Sequence, residues 1–114
     1  MSATEKRLGK IERAHFGLGG YQQSQFGLFL LLSSPPIAIG TMISGGWGTQ
    51  IKATEHTEWT EEDRIRGFGE ACVKINNLLN DAKVTNVAGL VGIPVEVELL
   101  GLELKDWRVL KEVL

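Results

Sequence analysis

Few residues in this chain could carry nucleophilic or metal chemistry. Its 114 residues hold one cysteine, Cys72, and two histidines, His15 and His56. A lone cysteine excludes an internal disulfide framework and any multi-cysteine metal site. Cys72 falls on an apolar helical stripe, where a thiol is expected to be a small, buried and inert hydrophobe. No Gly-x-Ser-x-Gly elbow is present to carry a serine nucleophile. Glu55-His56-Thr57-Glu58 offers three ligands but no second histidine at helical spacing, so it reads as a solvated loop. Gly17-Leu18-Gly19-Gly20-Tyr21 matches neither phosphate-loop pattern, and no long helix pattern follows it. It reads as a turn between strands, whose exposed N–H groups could still form an anion nest. The expectation is a protein that is not an enzyme and holds no metal or cofactor.

The aromatic and amide residues suggest binding. Tyr21, Gln22, Gln23 and Gln25 are expected at one turn, Trp47 in a second turn after Gly45-Gly46, and Trp59 at the start of a helix. Tryptophan in a glycine turn is poorly placed for the deep core. Exposed rings beside amide and guanidinium donors suit base stacking or a protein interface. The alternative is that Trp47 and Trp59 staple a loop over the sheet. The expected ligand-binding set is Tyr21, Gln22, Trp47, Trp59, Arg64 and Arg108, with Arg13 and Arg66 as further cations.

The elements that must position these residues follow from periodicity. Leu8 to Leu18 reads as a first strand. Gln23 to Leu32 reads as a second, with Phe26, Leu28, Leu30 and Leu32 on one face and Phe29 and Leu31 on the other, implying a central or doubly covered strand. After Pro35-Pro36, Ile37 to Ile43 alternates as a third strand closed by Gly45-Gly46. Thr60 is the N-cap of a helix over about 61–82, with Glu61, Glu62 and Asp63 at the positive end of its dipole. Its expected stripe is Ile65, Phe68, Cys72, Ile75, Leu79 and Ala82. Glycine in a helix interior costs roughly 1 kcal/mol against alanine. Gly69 lies beside the stripe and is expected to allow close packing, whereas Gly67 has no evident reason.

Val87 to Val91 is expected to form a short helical turn. Val95, Val97 and Leu99 alternate with Glu96 and Glu98, a strand with one wet face. The segment Trp107 to Leu114 fits strand or helix, and a strand paired with residues 94–100 through a turn at Gly101 is preferred. The order is β-β-β-α-β-β: an α+β fold with an antiparallel or mixed sheet of about five strands packed on one long helix.

Composition bounds the rest. An apolar fraction of 43% and a net charge of −2 describe one globular domain over 1–114, with 1–7 expected to be flexible. The charge balance supplies no overall field for nucleic acid or an anionic membrane. The apolar run Leu28 to Leu32 ends at Ser33-Ser34-Pro35-Pro36, well short of the roughly 20 residues of a membrane span. No apolar segment follows the basic residues of 1–10, so no secretory signal is expected.

Taken together, His15-Phe16-Gly17-Leu18-Gly19-Gly20-Tyr21-Gln22, Gly45-Gly46-Trp47, Trp59-Thr60-Glu61-Glu62-Asp63-Arg64 and the end from Leu90-Val91-Gly92 through Trp107-Arg108-Val109-Leu110 resemble a small family of uncharacterised phage and prophage proteins. The likeness runs from about Leu8 to Leu114. It implies a phage-encoded protein of the host cytoplasm and carries no established activity. The expected function is a non-enzymatic, homo-oligomeric binding protein that sequesters a nucleotide-like ligand or blocks a host defence protein. Single-stranded nucleic-acid binding in phage replication or recombination is the alternative, disfavoured by charge. A minor assembly component whose strands complete a partner's sheet is another.

Overall fold

The computed structural model describes residues 3–49 and 58–114. It has the expected class and order: five antiparallel strands in a curled sheet and one 22-residue helix. The strands are β1 (Glu5–Gly19), β2 (Gln25–Ser34), β3 (Ile37–Trp47), β4 (Pro94–Leu100) and β5 (Glu103–Val109). The helix α1 is Glu61–Ala82, and the sheet order is β3-β2-β1-β4-β5. Among the described residues, no helix is long and apolar enough to cross a membrane.

The strands exceed their expected limits because pairing, not hydropathy, sets where a ladder ends. β1 begins at Glu5, which pairs with Leu99, so residues 5–7 are built into the sheet rather than left as a flexible lead. β3 does not close at Gly45-Gly46. It passes through a bulge there and ends at Trp47, opposite Gln25. A bulge at Glu12 lets β1 pair with β4 in its first half and keep its apolar side toward the core in its second. The last hairpin turns at Gly101, where φ is +63°, but its second strand is Glu103–Val109 rather than 107–114. The chain closes with a 3-10 turn at Lys111–Val113, and Val87–Leu90 forms another, as expected.

Leu28, Leu30 and Leu32 of β2 are buried with Ile11, Val95, Val97 and Leu99 against Ile75, Leu78 and Ala82 of α1. Only this face is fully covered. Phe29 and Leu31 on the reverse face are half-buried, so β2 is interior to the sheet without being doubly covered.

The helix begins as its sequence dictates. Thr60 Oγ1 accepts the Asp63 N–H at 3.1 Å and the Asp63 carboxylate accepts the Thr60 N–H at 3.0 Å, a complete capping box. The Thr60 N–H and hydroxyl, and the Arg66 guanidinium, hold Asp63 below the ordinary carboxylate range. The rotational phase of α1 differs from expectation. The buried line is Ala71, Ile75, Leu78 and Ala82, while Ile65 and Cys72 are exposed. Cys72 is therefore not the buried residue expected. Hydropathy alone placed the stripe's centre too far round the helix, because it does not report which side the sheet covers. The glycines exchange roles as well. A Cβ on Gly67 would lie 2.7 Å from the Gly45 carbonyl oxygen, whereas one on Gly69 would meet nothing within 4 Å. Gly67 and Phe68 are where the helix lies closest on Gly45 of the strand.

Candidate groove beside the helix

The polar flank of α1 repeats at spacings of 3, 4 and 4: Asp63, Arg66, Glu70, Lys74. Those intervals place all four on one side of a 3.6-residue helix. Because Gly67 draws the helix onto Gly45, this flank stands beside β3, with Arg66, Glu70 and Lys74 exposed along it. Between them lies a cleft of about 600 Å³, with Met42 and Gly46 on the strand side and Trp59 at one end. The Trp59 indole rests on the bare backbone of Gly46, where an added Cβ would sit 3.5 Å from the ring. Trp59 as a whole is 48% exposed.

The cleft continues along the helix. A second depression of about 430 Å³ is lined by Ile43, Lys74, Asn77, Trp107 and Arg108, among others, and shares Ile43 and Lys74 with the first. The curl of the sheet brings β5 to the far end of the helix flank. Arg108 is held there by Glu112 at 2.9 Å and Glu96 at 3.4 Å. Its pairing with Glu112 raises the Arg108 pKa and lowers that of Glu112.

Two of the six expected binding residues, Trp59 and Arg108, therefore lie along one groove. The other four do not. Tyr21 and Gln22 stand at the β1–β2 turn, with Tyr21 80% exposed. Trp47, 50% exposed, is the last residue of β3 rather than part of a turn. The Gly48 N–H bonds the Ser24 carbonyl at 2.8 Å, so the turn and the end of β3 are neighbours, yet neither Tyr21 nor Trp47 lines the groove.

Arg64 is a structural tie. Its Nε donates to the carbonyls of Thr49 at 2.8 Å and Trp47 at 3.1 Å. Its guanidinium pairs with Glu61 at 3.2 Å and lies 4.8 Å from the centre of the Phe68 ring. A cation so engaged is a fastening between α1 and the end of β3, not a ligand donor.

Sequence reasoning named Arg66 only as a further cation and missed Glu70 and Lys74. The signal was present in their helical spacing, but a polar helix flank reads as solvated until the strand beside it is known. Gly46 was read as a turn residue, although it forms the floor under Trp59. The stretch Glu55-His56-Thr57 lies outside the described residues. Among the described residues, no cluster of three or more His, Cys, Asp or Glu side chains has the geometry to hold a metal ion. No family model, curated protein or solved structure matches this chain.

Proposed function

We propose that this chain is a non-enzymatic binding protein and that the groove between α1, β3 and β5 takes a nucleotide-like ligand. One observation carries the reading: a half-exposed indole on a glycine floor stands at one end of a groove whose helix flank then presents Arg66 and Lys74. The cleft of about 600 Å³ has the volume of small-molecule sites, which run from roughly 300 to 1,000 Å³. A base stacks on Trp59. Lys74 and Arg66 receive phosphate, the Arg66 guanidinium keeping its 3.0 Å pair with Asp63, and the Glu70 carboxylate accepts from ribose hydroxyls. Nothing in this arrangement needs a nucleophile or a general base.

The resemblance to phage proteins supplies the setting we infer, sequestration of a nucleotide-like signal in the host cytoplasm as a counter-defence. Single-strand binding is disfavoured by the scatter of the arginines. Arg64 is fastened inward and Arg108 is paired with two glutamates, so these side chains do not form a continuous cationic track.

The test is calorimetric titration with a panel of linear and cyclic mono- and dinucleotides, using the intact chain and its Trp59→Ala and Arg66→Glu variants. Binding by the intact chain that falls at least tenfold in both variants is expected. Absence of heat with every nucleotide, or binding unaffected by both substitutions, overturns the proposal.

A further inference from the structure

The first strand is longer than the sheet needs. β4 pairs with β1 only from Glu5 to Lys10, and Ile93 and Gly92 extend the contact to Ile11. On the side away from β2, the backbone from Arg13 to Gly19 meets no strand among the described residues. An open edge of this kind is a template for another strand.

Its apolar side chains are also largely unspent, although His15 Nε2 already lies 2.9 Å from the Leu18 carbonyl oxygen, which must accept a second bond when a strand is added. Ala14, Phe16 and Leu18 pair with Leu30, Leu28 and Phe26, so they share the core-facing side. Phe16 is nevertheless 47% exposed and Leu18 51%. Phe16 packs edge-on against Phe26 at 5.3 Å, and Phe26 lies 5.3 Å from Phe68 of the helix. Ile65 of the helix is exposed as well. The helix's apolar stripe is wider than one chain covers.

We propose that β1 pairs antiparallel with β1 of a second copy, across a two-fold axis through Phe16. The sequence Arg13-Ala14-His15-Phe16-Gly17-Leu18-Gly19 is complementary to its own reverse. In that register Ala14 faces Leu18 of the second copy, and Phe16 faces its equivalent on the apolar side. On the other side, Arg13 faces Gly19 and His15 faces Gly17. Each bulky residue except the central pair meets a small one, and no charge faces a like charge. Phe29, whose ring stands over Gly19 at 2.7 Å from where a Cβ would be, offers its ring to the incoming Arg13 guanidinium.

The paired stretch of seven residues spans roughly 24 Å. It joins the two copies of β3-β2-β1 into one six-stranded sheet. By contrast, the edge strand β5 carries Glu103, Lys105, Asp106 and Arg108, the charges that discourage edge pairing. The pairing does not rest on a ligand in the groove, which lies on the opposite flank of α1.

Light scattering on the intact chain after size exclusion should give the mass of a dimer, and Phe16→Glu should give a monomer with the same circular dichroism. Residues directly opposite in antiparallel strands have Cα atoms roughly 4.5–5.5 Å apart, within disulfide range. Phe16→Cys in a Cys72→Ser background should therefore cross-link to a covalent dimer on mild oxidation, and Ala38→Cys on β3 should not. A monomeric intact chain overturns the proposal, as does a dimer that survives Phe16→Glu. Should Phe16→Glu fail to fold, cross-linking decides: absence at position 16, or presence at 38 instead, overturns it.

Discussion

Replacing Gly67 and Gly69 separately with alanine tests the packing that creates the groove. Both positions lie inside α1, and each substitution gains about 1 kcal/mol of helix propensity. At Gly69 the new methyl meets nothing within 4 Å, so the gain is kept in full. At Gly67 it meets the Gly45 carbonyl oxygen at 2.7 Å, a backbone atom fixed by the sheet. Gly45 cannot retreat, because its own missing Cβ is what admits Phe68, whose Cα would be 2.9 Å away. The helix must lift from β3, and overpacking of this kind costs about 1–3 kcal/mol. Gly69→Ala is therefore stabilised by about 1 kcal/mol, and Gly67→Ala is destabilised by up to about 2 kcal/mol. For a chain of this length each kcal/mol moves the midpoint by roughly 4 °C. Urea unfolding followed by circular dichroism, at one protein concentration so that association is constant, measures both. Equal stabilisation of the two variants would refute the contact between helix and strand.

Three further outcomes are expected. Arg64→Ala should lower stability by about 2 kcal/mol, since its charge-assisted bonds to the Trp47 and Thr49 carbonyls are lost, while nucleotide affinity in titration changes less than twofold. Thr60→Ala should cost about 1 kcal/mol through loss of the cap. It should also flatten the acid limb of the stability curve: a carboxylate whose folded pKa is depressed stabilises above its unfolded value of 3.8 and loses that contribution as pH falls below it, so urea midpoints at pH 7 and in the acid range check the sign. Gln22→Gly should stabilise by about 0.5 kcal/mol, because Gln22 holds a left-handed conformation at φ 53° that glycine adopts without strain, and thermal melts resolve the direction.

Local signals made most of the fold legible. Thr60 followed by three acids fixed the start of α1, and the alternation around Glu96 and Glu98 fixed β4. Contact between distant segments was not legible. Nothing near Gly67 tells that Gly45 will lie against it, so the two helix glycines were read in reverse. Cys72 and Ile65 have the hydropathy of core residues, but hydropathy averages over a face and does not report which side the sheet covers. The groove was half legible for the same reason: Trp59 announces itself by type, whereas Lys74 is an ordinary helix lysine until β3 and β5 are placed on either side of it.

The indole N–H resonances offer the most direct test of the groove. The chain has three tryptophans, Trp47, Trp59 and Trp107. A nitrogen-15 correlation spectrum recorded during titration with a bound mononucleotide should move the Trp59 indole signal and the amides of Gly46, Arg66 and Gly67, leaving the Trp47 indole in place. Shifts confined to Trp47 and the turn at Tyr21, with the Trp59 signal unmoved at saturation, would contradict the account.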